Sequence, residues 1–182
     1  MLVEIGCGTG LNLVHFLETY PSKSALGLDW SVNAVKIIDK LGGRFPGRIT
    51  GKQFDMFHPP STEDFKNILP RREVRIGVLT VGALEQLGVG YARMLDFLKT
   101  IANTFNVEKI LHMETAFELY DKNVLFDLIP VKYIEKHNWL RGYFNDLKMM
   151  ANQGEVSVVE MKKTFGSFFH DGYTVTVWNG VR

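Results

Sequence analysis

Three glycines at alternate positions close the first ten residues, Met1-Leu-Val-Glu-Ile-Gly-Cys-Gly-Thr-Gly10. This run constrains the fold more than any other feature of the chain. Leu2, Val3 and Ile5 form a short apolar stretch, the pattern of a buried strand. Gly6, Gly8 and Gly10 then allow positive φ, and they let a ligand approach where a Cβ would block it. Apolar residues at Leu13, Phe16, Leu17 and Tyr20 follow at helical spacing, and Pro21 helps to stop that helix. The unit is therefore strand, tight turn, helix, with the free N–H groups of the helix start facing whatever the turn holds.

The next unit repeats the grammar. Residues 25–28 are a short buried strand ending on Asp29, 19 residues after Gly10. Ser31 is placed to cap a helix with an apolar face at Ala34, Ile37, Ile38 and Leu41. In a doubly wound sheet the carboxyl end of a strand faces the ligand crevice. A carboxylate there accepts hydrogen bonds from ribose hydroxyls, or else helps to cap the next helix. Trp30 follows, as an adenine cover or as ordinary packing. A dinucleotide site would read G-x-G-x-x-G, whereas here Leu11 takes the place of the third glycine.

Further along, residues 48–54 read as a third strand ending in Asp55-Met56. Ser61 to Asp64 resemble a capping box that opens a short helix, stopped by Pro70. Residues 74–81 form a fourth apolar strand. Tyr91, Met94, Leu95, Leu98, Ile101, Ala102 and Phe105 form the core stripe of an amphipathic helix. Residues 109–112 form a fifth strand. Asp121 opens a helical region in which Pro130 predicts a break. Leu140, Tyr143, Phe144, Leu147 and Ala151 mark a helix that runs to about Asn152, with Gly154 at its end. Residues 156–165 and 173–177 are the last strands. The link between them is too short for a crossover helix, so the pair is antiparallel. The expectation is an α/β Rossmann-like doubly wound sheet of seven strands closed by an antiparallel C-terminal hairpin. Residues 1–182 would form a single domain.

The glycine turn resembles motif I of class I S-adenosylmethionine (SAM) methyltransferases, and the terminal hairpin is how that family ends its sheet. Dinucleotide domains instead continue with a crossover helix and a parallel strand. In the family an acid stands two residues before the first glycine, a place filled by Glu4. The resemblance implies that Gly6, Cys7, Gly8 and Gly10 lie against SAM, with Cys7 as a small side chain beside it. It implies that Asp29 takes the ribose, that Asp55 receives the adenine amino group and that Met56 packs on the ring. The loop 80–88 would pass under the sulfonium, with carbonyls near Thr80 taking the methionine ammonium. Many small-molecule methyltransferases carry a Glu-His pair in that loop; here the pair is Glu85-Gln86. The segments 80–88, 112–120, 138–140 and 166–178 also resemble bacterial methyltransferases of sugars or surface glycans, although Thr115 stands where that group often has proline. The family usually carries helices before its first strand. Their absence implies a fragment, or an apolar face that a second copy of the chain covers.

A general base near the acceptor would help methyl transfer to a hydroxyl. Glu85, His112 and Glu114 lie at the carboxyl edge of the sheet and are the candidates. For His112 the competing reading is a histidine tied into the sheet end. His137 and His170 fall on segments that can fold over the site. No cluster has metal-ligand spacing, so no metal is expected. The 21 basic and 20 acidic residues are scattered and give no footprint for nucleic acid. One cysteine and no membrane-length apolar run point to a cytoplasmic protein. The remaining alternatives are an NAD-type oxidoreductase and a non-catalytic SAM-binding subunit.

Overall fold

The computed structural model describes residues 1–69, 75–164 and 173–181. Pro70, Val74, Phe165, His170 and the link 166–172 lie outside the described residues. The chain runs β1 (Leu2–Ile5), α1 (Leu11–Thr19), β2 (Ala25–Asp29), α2 (Val32–Leu41), β3 (Ile49–Gln53), α3 (Thr62–Ile68), β4 (Ile76–Val81), α4 (Ala92–Thr104), β5 (Val107–Glu114), α5 (Leu125–His137), α6 (Tyr143–Asn152), β6 (Val156–Lys162) and β7 (Thr174–Gly180). Short 3₁₀ turns cover Leu84–Leu87 and Phe117–Leu119.

The strands form one seven-stranded sheet in the order β3-β2-β1-β4-β5-β7-β6. β3 to β5 are parallel, and β7 enters antiparallel between β5 and β6. This is the expected architecture. The strand order reverses at β1, which lies between β2 and β4, so the crevice that takes ligands in open α/β sheets opens over the carboxyl ends of these three strands.

Each face of the sheet has its own core, as a doubly wound fold requires. α1 and α2 cover one face, where Leu13, Leu17 and Ile38 pack on Cys7, Ala25 and Ile49. α3, α4 and α6 cover the other, with Phe65, Met94, Leu98, Ile101, Tyr143, Phe144 and Leu147 on Val3, Ile5, Val78 and Ile110. All five residues of β2 are buried, since it has neighbours on both edges and helices on its faces. Ser31 caps α2 through Ala34 N, and Ser61 caps α3 through Asp64 N, both as their spacing predicts.

Three local expectations are corrected. Tyr20 and Ile37, read as helix-core residues, are exposed. α5 runs unbroken through Pro130. A proline forfeits one hydrogen bond, to the carbonyl four residues back; here that carbonyl is in the first turn, and burial of Val131 and Ile134 holds the rest of the helix. β5 runs on to Glu114, so that residue belongs to the sheet and not to the following loop.

Strand alternation leaves one apolar strip half-covered. Leu79, Leu111 and Val177 share one row across β4, β5 and β7, and Val81, Met113 and Val175 the next. Their opposite-facing neighbours Val78, Thr80, Ile110, His112, Thr176 and Trp178 are fully buried. Among the described residues no helix is long and apolar enough to cross a membrane.

Candidate functional site

The glycine turn divides its labour among its three glycines. All three have positive φ, at +74° for Gly6, +50° for Gly8 and +77° for Gly10. A Cβ on Gly6 would stand 2.4 Å from Ala83 Cβ, and one on Gly10 would stand 2.3 Å from Ile38 Cδ1. Gly6 is held to glycine by the packing of Ala83 as well as by its φ, and Gly10 by its positive φ, with only side-chain tips such as that of Ile38 near it. A Cβ on Gly8 would meet nothing within 4 Å. Gly8 is therefore the position where the backbone faces the open crevice. Cys7 points inward, its Sγ 2.9 Å from the Cβ position of Gly27. Burial pushes its thiol up to about 12, so it is a packing group and no nucleophile.

Asp29 locks the turn in place. Its Oδ2 accepts from Gly8 N at 2.9 Å, and its Oδ1 accepts from Ser31 N at 2.9 Å. The residue is 8% exposed. A carboxylate has about four acceptor positions, so these bonds leave each oxygen able to accept from a ligand hydroxyl. Glu4 is 1% exposed. Its Oε1 accepts from Asn12 Nδ2 at 2.7 Å, while Oε2 is buried with no protein partner. Burial raises its carboxyl to about 7 against the Asn12 hydrogen bond, which works the other way.

The adenine-side candidates lie at the ends of β2 and β3. Trp30 is 77% exposed, so the ordinary-packing reading of it fails. Asp55 is an exposed turn residue. It accepts from Phe57 N at 2.8 Å and meets His58 Nδ1 at 2.9 Å, and the His58 hydrogen bond holds its carboxyl below the usual range. Met56 is half-buried against the main core.

At the other edge of the crevice, the histidine and one of the two carboxylates turn out to be interior. His112 is 0% exposed. Trp178 Nε1, which can only donate, reaches His112 Nε2 at 2.8 Å, and Tyr143 Oη lies 3.1 Å from the same nitrogen. Nε2 is therefore an acceptor, and the proton sits on Nδ1, which donates to Thr80 Oγ1 at 2.9 Å. Burial lowers the imidazole to about 3. With both nitrogens committed, a base role for His112 has no atom to act through. The residue is the tie at the sheet end that its alternative reading described. Thr80 enters this tie by its hydroxyl.

Glu114 is also 0% exposed. Its Oε1 accepts from Ala83 N at 3.1 Å and Leu84 N at 3.2 Å, so it braces the turn after β4 and does not reach the crevice as a free base. Burial raises it to about 7. Glu85, one residue into the 3₁₀ turn, is half-buried, and burial raises its carboxyl too. Gln86 is exposed, with its Nε2 donating to Glu85 Oε1 at 3.4 Å. The loop is pinned from α6's side by Leu140 N to Glu85 O at 3.1 Å. His137 sits exposed at the end of α5, its ring 4.2 Å from that of Tyr133. Sequence reasoning missed Asn12, Tyr143, Trp178 and Ala83. Tyr143, Trp178 and Ala83 act through contacts between distant segments, for which the sequence carries no local signal; Asn12 lies only eight residues from Glu4, across the glycine turn.

Comparison with solved structures places the fold. An O-methyltransferase family 2 protein from Planctomyces limnophilus, solved with apigenin, matches 99% of this chain and 49% of its own at TM-score 0.64 and 14% identity. An O-methyltransferase from neocarzinostatin biosynthesis, solved with SAM and 2-hydroxy-5-methyl naphthoic acid, matches 99% and 48% at TM-score 0.64 and 13% identity. The N,N-8-amino-8-demethyl-D-riboflavin dimethyltransferase of Streptomyces davawensis matches 99% and 49% at 0.64 and 18%. The chain thus has the class I SAM-dependent methyltransferase fold, and it spans about half the length of these three proteins. In sequence it is similar, at 47% identity over 36 residues, to an uncharacterized protein of Rickettsia prowazekii, a match covering 20% of this chain and 14% of the other. No protein-family profile matches.

Proposed function

We propose that this chain binds SAM and transfers its methyl group to a small-molecule acceptor at oxygen, with sugars and glycans within that class. The observation that carries this reading is Gly8, open to the crevice and held there by Asp29. The residues fit the ligand. Gly8 and the start of α1 give it a backbone cradle, Asp29 retains acceptor positions for a ribose, and Glu4 Oε2 is a buried acceptor without a partner. Asp55, Met56 and Trp30 line the adenine side, and the backbone after Thr80 the amino-acid side. All the charged residues in this set are acids, which suits a ligand carrying a sulfonium and an ammonium.

SAM supplies a methyl already activated on a positive sulfonium, so most of the acceleration can come from holding the acceptor in line. Glu85 is the base. Its carboxylate would take the acceptor hydroxyl proton as the oxygen–carbon bond forms and the methyl–sulfur bond breaks, which would leave the neutral thioether of S-adenosylhomocysteine; partial burial raises this carboxyl above its ordinary value. Gln86 orients the carboxylate. The small-molecule reading draws support from the apigenin, naphthoic acid and riboflavin-type compounds named for the proteins of similar fold. A reducing, cytoplasmic setting suits a single buried thiol.

The test is thermal unfolding with S-adenosylhomocysteine (SAH), SAM, NAD and no ligand. At about 100 times the dissociation constant a ligand stabilises by about 2.7 kcal/mol, roughly 5–10 °C for a domain of this size. A shift with the two SAM-type ligands alone is expected. A shift with NAD alone would replace the reading with an oxidoreductase.

A further inference from the structure

Glu114 is a fully buried carboxyl with no ion-pair partner among the described residues, yet it takes two backbone N–H groups from the turn after β4. One of those groups belongs to Ala83. Ala83 is the residue whose Cβ fills the space beside Gly6, where an added methyl would stand only 2.4 Å away. The contacts therefore run from the end of β5, through the β4 turn, onto the first glycine of the ligand turn. The same brace sets the start of the 3₁₀ segment Leu84–Leu87, which carries Glu85.

We propose that Glu114 is a positioning residue, which sets the β4 turn against Gly6 and thereby governs the amino-acid end of a SAM-type ligand and not its nucleoside end. This rests on the SAM-binding reading above. The division between the two ends follows from topology. Asp29 ends β2, and Asp55 and Met56 follow β3, on one side of β1. Ala83, Glu85 and Glu114 lie on the other side, over β4 and β5. The nucleoside half meets the first set, whereas the Glu114 brace reaches the second and, through Ala83, Gly6.

The bracing depends on reach and on an acceptor oxygen, and not on charge. Oε1 takes the two backbone bonds, the Thr80 hydroxyl, which accepts from His112, also lies against the carboxyl, and Oε2 has no hydrogen bond of its own. The cross-strand neighbour of Glu114 is Thr174, whose Oγ1 is likewise buried and unpartnered. Glutamine at 114 keeps the length and the acceptor, and brings an amide that Thr174 Oγ1 can accept. Aspartate keeps the charge and loses one methylene of reach.

The experiment is calorimetric titration of the full chain with SAH and, separately, with adenosine, in the parent, E114D and E114Q. Amide hydrogen exchange at Ala83, Leu84, Val78 and Ile110 is followed in the same proteins. The expected result is a loss of about tenfold in SAH affinity in E114D, with adenosine affinity within about twofold of the parent. E114Q should stay within about threefold for both ligands. Exchange at Ala83 and Leu84 should speed up in E114D while Val78 and Ile110 remain protected. Equal losses of SAH and adenosine, or a loss in E114Q as large as that in E114D, would overturn the positioning role. So would faster exchange at all four amides together, which marks general destabilisation. A parent that binds no SAH overturns the SAM reading itself, and the inference with it.

Discussion

The indole N–H of Trp178 donates to Nε2 of His112 at 2.8 Å, and this one bond removes the histidine from acid–base chemistry. Trp178 cannot accept, so the imidazole must. Its other nitrogen is turned to Thr80, and the whole set is sealed by Tyr143 from α6.

The first prediction concerns stability. Trp178→Phe leaves Nε2 without its indole donor and removes packing area, and should cost about 1–3 kcal/mol in urea unfolding. SAH affinity should be unchanged, because the residue lies on β7, with β4 and β5 between it and the β1 strand that carries the glycine turn. An equal loss of binding would show that this buried set reaches the ligand. The imidazole is held neutral, with its folded value about 3, far below the unfolded one. Its contribution is therefore full above the unfolded value and is lost as pH falls toward about 3. The His112 ring signals should show no titration between about pH 8 and 5 in NMR.

A second prediction follows from the Asp29–Gly8 bond. Asp29→Ala strips acceptors from Gly8 N and Ser31 N at once, each a charge-assisted bond worth about 1.5–3 kcal/mol. It also removes the proposed ribose contact. SAH affinity should fall at least about tenfold by calorimetry, and thermal stability should fall with it. Undiminished SAH binding in this variant would sink the ribose assignment.

Those residues were legible before the structure because their signal is local. Gly6, Gly8, Gly10 and Asp29 sit at strand ends set by short apolar runs, and a doubly wound sheet brings such ends to one edge. The antiparallel β6–β7 pair was legible from a link too short for a helix. The tie of His112 into the sheet end was one of the two readings of its position, but its partners and the burial of Glu114 were not legible. They depend on β7 inserting beside β5, which sets His112 against Thr176 and Glu114 against Thr174. The face of β7 turned inward is the one carrying Thr174, Thr176 and Trp178, and its partner Val175 and Val177 face is the half-covered one. Hydrophobic alternation alone favours the opposite choice. Pro130 misled for a related reason, since buried contacts elsewhere along α5 outweigh the bond that proline gives up.

The glycines give a third prediction, which separates fold from ligand. Gly8→Ala meets no atom within 4 Å, so the cost to the fold is that of a left-handed residue, about 1–2 kcal/mol. Its methyl would stand in the crevice, and SAH binding should be lost by calorimetry. Gly6→Ala pays the same backbone cost and also collides with Ala83, so it should unfold several degrees lower than Gly8→Ala. If Gly8→Ala binds SAH like the parent, the open face of this turn is not the ligand face.

The last prediction concerns protons. Burial raises Glu4 to about 7 in the folded chain, above its ordinary 4.5. A raised carboxyl means that the folded state holds a proton that the unfolded state has released. This contribution to stability is therefore full below about 4.5 and is lost as pH rises through about 7. Glu4→Gln should flatten that decline in a series of thermal scans between pH 4 and 8. The same proton couples to binding. Oε2 has no partner in the chain, and an ammonium placed against it would favour the anion and expel the proton. SAH binding at about pH 6 should release protons, seen as a dependence of the calorimetric heat on the ionisation enthalpy of the buffer. The affinity should rise with pH up to about 7 and then level off. Adenosine, which lacks the ammonium, should release none. Proton release that persists in Glu4→Gln would move the assignment to another carboxyl, with Glu85, Glu114 and Glu118 raised by burial past the ends of β4 and β5.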